Sequence, residues 1–245
     1  MRQASETFFQ SIMQAPSPSG FETPVQAIVR EYAEEFADEV RTDVHGNVIA
    51  VRNPDAPVRV MLAGHADQIG FMIRHIEDSG VLRISAIGGV DPKAIAGHLV
   101  TVHTDDGPIS GVIGRKAIHL MTSKERESGK VKIEDLWIDI GAEDKEAAEE
   151  VVSVGDIATF QLNYVSLQDD LVAAPGCDDK VGVFVAMEAL RQIPADELNC
   201  AVYAVSTVQE ELGLRGARTS AFGIDPHAGI AIDVTHATDY PGVEA

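Results

Sequence analysis

Four short acidic stretches carry the side chains with the most chemistry in this 245-residue chain: Gly64-His65-Ala66-Asp67, Cys177-Asp178-Asp179, Gln209-Glu210-Glu211 and Ile232-Asp233. Imidazoles and carboxylates are ligands of divalent cations. A cation held among them acidifies a water molecule and polarises a carbonyl. Taken singly, each stretch has a plainer reading: Asp178 or Asp179 as a helix N-cap, His65 as a hydrogen-bonded interior histidine, Glu210-Glu211 as a solvated loop pair. Carboxylates kept close repel, however, unless a cation or a proton neutralises them, so the four stretches together point to a metal site.

The flanking residues indicate the elements that position them. Arg59-Val60-Met61-Leu62-Ala63 before His65 and Ala201-Val202-Tyr203-Ala204-Val205 before Gln209 are short apolar runs suited to strands buried on two faces. Gly229-Ile230-Ala231-Ile232 repeats the arrangement before Asp233. Asp178 instead follows the turn signal Ala174-Pro175-Gly176 and precedes Val181, Val185, Ala189 and Leu190 at helical spacing, which places it near a helix start. Strands leaving a buried sheet deliver charged side chains to its carboxyl edge, where open α/β sheets hold their ligands.

Three textures divide the chain. Residues 1–70 alternate helical spacing (Val25, Ile28, Val29, Tyr32, Phe36) with strand-like runs around Val48-Ile49-Ala50-Val51, and Asp43 to Asn47 form a turn. Residues 71–163 read as short strands broken by Gly, Pro and Asp: Phe71 to Ile73, Leu82 to Ile84, Leu99 to Val102 and Ile157 to Phe160, with a helix from Lys145 to Val151. From residue 164 to 245 the α/β pattern returns. The expectation is a mixed-sheet α/β/α domain interrupted by a small β-rich insertion, with His65 and Asp178 separated in sequence but adjacent in space.

The stretches, in this order, resemble the tetrahedral aminopeptidase family of dinuclear metallopeptidases. That family includes glutamyl and deblocking aminopeptidases and some members labelled endoglucanase. The similarity runs through Ser17-Pro18-Ser19-Gly20-Phe21-Glu22, His65-Ala66-Asp67-Gln68-Ile69-Gly70, Ile87-Gly88-Gly89-Val90-Asp91-Pro92, Gly111-Val112-Ile113-Gly114, Asp135 to Ala142, and Glu210 to Ala217.

The resemblance implies two divalent ions, zinc or cobalt, per subunit: His65 and Asp233 on the first, Asp178 bridging, Glu211 on the second. It also implies Glu210 as general base and Asp67 behind His65, holding the other imidazole N–H. It makes the insertion a dimerisation domain whose dimers build a tetrahedral dodecamer, with short peptides as substrates. Two departures stand out. Gln68 occupies a position where many members carry glutamate, and members continue past Ala245 to a histidine that completes the second ion's ligands, so the second site is expected to be incomplete here. His227 and His236, on either side of Asp233, are poor substitutes by position.

Composition bounds the alternatives. A formal charge of −20 argues against a nucleic-acid partner, whose phosphates call for Lys and Arg. Two cysteines, Cys177 and Cys200, form neither a disulfide framework nor a CxxC pair, which suits a reducing cytoplasm. No apolar stretch is long enough for a membrane span. His75, His98, His103 and His119 fall in the insertion, and Ser19 lacks a nucleophile elbow. Two readings remain: a metal-dependent aminopeptidase, or a truncated, non-catalytic relative that dimerises and binds at most one metal tightly. A glycosidase is a distant third, since only 5% of residues are aromatic and no flanking carboxylate pair is evident.

Overall fold

A computed structural model describes residues 2–194 and 197–242, apart from the side chain of Glu125. The chain opens with helices α1 (Gln3–Gln14) and α2 (Thr23–Glu34) and strands β1 (Glu39–Thr42), β2 (Val48–Arg52) and β3 (Arg59–His65). Next come β4 (Gly70–Ile76), β5 (Leu82–Ile87), β6 (Leu99–Thr104), β7 (Gly107–Arg115), α3 (Ser123–Ser128), β8 (Leu136–Asp139), α4 (Lys145–Glu149) and β9 (Ile157–Phe160). A hairpin of β10 (Val165–Ser166) and β11 (Val172–Ala173) leads to α5 (Cys177–Gln192), β12 (Ala201–Thr207), α6 (Arg215–Ile224) and β13 (Ala228–Ala231).

One sheet has the order β1-β2-β12-β3-β13. β12, β3 and β13 run parallel, whereas β1 and β2 are antiparallel additions at one side, so the sheet is mixed as predicted. Side chains alternate faces at period two. On one face Val48, Ala50, Val202 and Ala204 pack under Phe8 and Ile12 of α1, Val25 and Val29 of α2, and Val183 and Met187 of α5. On the other, Ile49, Val51, Met61, Tyr203 and Val205 meet Ile224 of α6. Helices on both faces explain why β12 is apolar without alternation and buried at every position.

Strands β4 to β9 close into a six-stranded barrel of order β4-β5-β8-β7-β6-β9. Its interior is filled by Phe71, Ile73, Leu82, Ile84, Val102, Ile113, Leu136 and Ile138, and Ala148 and Val152, in and just after α4, join the same cluster. Closure leaves the small sheet without edges. Phe71 to Ile73, Leu82 to Ile84, Leu99 to Val102 and Ile157 to Phe160 all lie in strands as expected. The barrel's closure was not legible, because pairing between β4 and β9, more than eighty residues apart, leaves no local signal. The expected helix from Lys145 ends at Glu149, with Asp144 as its N-cap accepting a 2.9 Å hydrogen bond from the Ala147 N–H.

Candidate metal centre

The three parallel strands end together. Thr207 of β12 is level with His65 of β3, and Ala231 of β13 pairs with Ala63 two residues earlier. Whatever follows these strands is therefore delivered to one sheet edge: Ala66-Asp67 after β3, Gln209 to Glu211 after β12, Asp233 after β13. α5 brings the fourth stretch. Its start packs against β3 so closely that a Cβ on Gly64 would lie 2.3 Å from the Gly182 carbonyl carbon. Only a glycine at residue 64 lets the helix bearing Asp178 approach the strand bearing His65.

His65, Asp178 and Asp233 each offer one ligand atom, all within 4.8 Å of one another. His65 is buried, with Nε2 3.1 Å from Asp178 Oδ1 and 3.6 Å from Glu210 Oε2. Ligand atoms about one such ion stand roughly 3–4.5 Å apart, so the donor set fits a divalent cation. The fit extends to the tautomer: His65 Nδ1 lies 3.0 Å from the Asp67 carbonyl oxygen and 3.4 Å from its Oδ1, which fixes the proton on Nδ1 and leaves Nε2 free to ligate.

The electrostatics are those of a site built around a positive charge. Burial acts to lower the His65 pKa, but its hydrogen bond to Asp67 and the charges of Asp67, Asp179 and Glu210 outweigh it and push it up to about 9. Burial, followed by repulsion from Asp178, raises Glu211 to about 7. Glu210 is also raised, by burial and by the neighbouring aspartates, against the opposing pull of His65. Without a cation, protons do the neutralising.

Asp67 is fully buried, and its carboxylate does more than stand behind His65. Oδ1 accepts the Glu210 N–H at 2.9 Å, and Oδ2 accepts the Glu211 N–H at 3.1 Å and the Ser19 hydroxyl at 2.6 Å. Burial alone would raise its pKa, but the hydrogen bonds from His65 and Ser19 overcome that and hold it low. One anion thus orients the imidazole and both glutamates.

Residues to which sequence reasoning gave another role or none belong here. Asp179 is buried and, like Asp178, non-helical within α5; its Oδ2 accepts the His65 N–H at 3.1 Å, which ties α5 to β3, and its Oδ1 accepts the Gly182 N–H at 3.1 Å, an N-cap contact for the turns that follow. The N-cap reading of Asp178 or Asp179 thus applies to Asp179, while Asp178 joins His65 and Asp233 in the candidate group. Lys180, also buried, donates to the Ala15 carbonyl at 2.7 Å and to Gln68 Oε1 at 2.6 Å, and burial brings its pKa down to about 7. Ser19, set aside as a nucleophile, is buried and anchors Asp67. Its signal in the sequence was only its place in a family motif.

Not every candidate converges. Glu211 lies outside the group of three, with Gly88 of the barrel beside it: a Cβ there would come within 3.2 Å of Glu211 Oε2. His227 sits at the opposite end of β3, where its Nδ1 accepts the Arg59 N–H at 3.1 Å, too far along the sheet to act as a ligand. His103, in the barrel, contacts Thr159 Oγ1 at 2.9 Å, and burial lowers its pKa.

A family model described as M42 glutamyl aminopeptidase matches residues 46–245. The chain belongs to the M42 glutamyl aminopeptidase family. Among M42 relatives, a lysyl aminopeptidase of Pyrococcus furiosus is 39% identical over 230 residues, covering 93% of this chain and 66% of that protein. A TET aminopeptidase from a marine-sediment Thaumarchaeota archaeon superposes with a TM-score of 0.94 at 37% identity, over 99% of this chain and 69% of that one. A TET1 peptidase of Pyrococcus horikoshii, which can assemble into a tetrahedron or a large octahedral shell, gives 0.85 at 34% identity over 98% and 72%. The chain spans about two thirds of the length of the curated relatives it matches. All three are aminopeptidases or peptidases by name, and the non-catalytic alternative finds no support among them.

Proposed function

We propose that this M42 chain is a metal-dependent aminopeptidase that removes N-terminal residues from short peptides, acting in the cytoplasm as part of a homo-oligomer. The single observation that carries the reading is the convergence of His65, Asp178 and Asp233 within 4.8 Å at the sheet's carboxyl edge, with a Glu210 carboxylate oxygen 3.6 Å from His65 Nε2.

His65 and Asp233 would hold one zinc or cobalt ion, Asp178 would bridge to a second, and Glu211 would serve that second ion. Such ions supply Lewis acidity: a water pKa brought near neutrality and a polarised scissile carbonyl. The chain's own residues supply the rest. Glu210 accepts the proton of the attacking water and returns it to the leaving amine, which its raised pKa suits. Asp67 holds the Glu210 and Glu211 backbone N–H groups, so the two carboxylates are placed independently, one for the cation and one for the proton. Asp178, 62% exposed, leaves the bridging position open to a peptide.

The test is hydrolysis of aminoacyl anilides by the purified chain supplied with zinc or cobalt. Activity that is lost on chelation and restored by metal is expected. Activity insensitive to chelation, or none from a folded, metal-loaded protein, would refute the reading.

A further inference from the structure

At the far end of the barrel from the metal centre lies a cavity of about 420 Å³ whose wall gathers Arg83, Arg115, Lys116, Arg126 and Lys130. β5 runs from this cavity toward the metal centre: Arg83 is near its start, and Gly88, just past its end, lies beside Glu211, so that a Cβ there would come within 3.2 Å of Glu211 Oε2. Five residue steps of strand separate the two by roughly 17 Å. The concentration of cations is unusual for this molecule. Between positions 115 and 132 there are six Lys and Arg against two Glu, in a chain whose formal charge is −20.

Three of these cations, Arg115, Arg126 and Lys130, are in no ion pair among the described side chains. Arg83 is paired with Glu77 at 2.7 Å. Neither Glu134 nor Asp135 forms an ion pair with Arg115, Arg126 or Lys130, and the Arg115 guanidinium lies 3.9 Å from Met121 Sδ. Of the two acids on the wall, Asp135 is engaged by the Lys132 N–H at 2.9 Å, and Glu134 presents its backbone carbonyl to Arg83 at 3.3 Å. Holding the like charges of Arg115, Arg126 and Lys130 around a concavity stores repulsion that an anion relieves.

The wall is also partly apolar. Ile118, 60% exposed, Met121 and Val131 interleave with the cations. A bare oxyanion has no use for such a surface, whereas a glutamate side chain presents two methylenes and a carboxylate that a guanidinium fork matches in two parallel hydrogen bonds. We propose that this cavity is a docking site for an acidic peptide segment, recognised through its glutamate or aspartate carboxylates by Arg115, Arg126 and Lys130. The site is separate from the metal centre and does not depend on catalysis.

The chain's single tryptophan provides a local reporter. Trp137 packs on Gly114, with the Arg83 guanidinium 5.9 Å from its ring centroid, so occupation of the cavity alters its surroundings. Titration with tetraglutamate blocked at both ends, followed by Trp137 fluorescence and by calorimetry, tests the site without any turnover being read. Saturable binding is expected, weakened by added salt, absent for blocked tetraglutamine, and at least tenfold weaker in Arg115→Gln/Arg126→Gln and in Lys130→Gln, all with unchanged melting temperature. No saturable binding by calorimetry, or affinity unchanged in both variants, would overturn the proposal. So would full displacement by equimolar inorganic phosphate, which marks a small-oxyanion site, or a concentration-dependent rise in mass abolished by the variants, which marks a second copy as the occupant.

Discussion

At the scale of single residues, the candidate centre gathers acids whose burial and mutual repulsion raise the pKa values of Glu210 and Glu211. With His65 pushed up to about 9 and Glu211 to about 7, a metal-free centre at pH 7.5 holds protons that an incoming ion must displace. Metal uptake should therefore release about one proton per ion or more, and affinity should rise as pH increases from 7 to 9. Calorimetry in buffers of different ionisation enthalpy measures this directly, and proton-neutral uptake would contradict the assignment. The two glutamates should separate cleanly. Glu210→Gln is expected to leave metal content unchanged while lowering turnover on the order of 10²-fold or more. Glu211→Gln should lower metal occupancy first. Equal metal loss in both variants would show that the roles are not divided as argued.

Elements position these residues by close approach and by buried polar pins. An added methyl at Gly64 would overlap the Gly182 backbone, which no rotamer change relieves, so α5 must move off β3. Gly64→Ala should lower stability by about 1–3 kcal/mol, the usual range for overpacking. It should also weaken metal binding, since Asp178 and His65 ride on the two displaced elements; loss of stability with unaltered metal affinity would contradict this. On the other side of α5, Glu188 accepts hydrogen bonds from Arg191 at 2.7 and 2.9 Å and from Ser5 at 3.0 Å, and contacts Tyr32, so it joins α5 to α1 and α2. The Arg191 hydrogen bonds, opposed by burial and aided by Tyr32 and Ser5, bring its pKa down to about 2 from 4.5. A carboxyl depressed in the folded state stabilises above its unfolded pKa and loses that contribution as pH falls. Glu188→Gln should thus melt earlier than the parent at pH 7, with the gap shrinking between pH 4.5 and 3. A constant gap would point to packing alone.

For the whole molecule, two surfaces bear on assembly. On the barrel's exterior, Leu99 of β6 and Val112 of β7 are directly paired and exposed at 57% and 36%. β13 is the sheet's edge and is exposed along its length, Ile230 at 56%. Contiguous exposed apolar patches mark association sites, and unpaired edges template further pairing. Taking the barrel as the dimerisation module, Leu99→Lys/Val112→Lys should lower the molar mass measured by light scattering while leaving the fold intact. An unchanged mass would shift association to the β13 edge.

What the sequence determined by itself was local and periodic. Short apolar runs ending in an acid marked β3, β12 and β13 and their common edge; burial on both faces holds for β12, whereas β13, apolar in the same way, is an exposed edge strand, a difference that sheet order and not composition decides. The turn at Gly176 and the spacing of Val181, Val185 and Ala189 marked α5, and the family motifs singled out His65, Asp178, Glu210, Glu211 and Asp233 as candidates, of which His65, Asp178 and Asp233 come within 4.8 Å of one another. Tertiary structure alone decided the rest. That Asp67 grips two glutamates from a strand 140 residues later, that Asp179 and not Asp178 caps the helix, that Lys180 turns inward to Gln68, and that basic residues of β5, β7 and α3 face one cavity are all consequences of pairings between distant segments. Neither hydropathy nor spacing encodes those pairings, because both are summed over neighbours in sequence, whereas burial and charge repulsion act between neighbours in space.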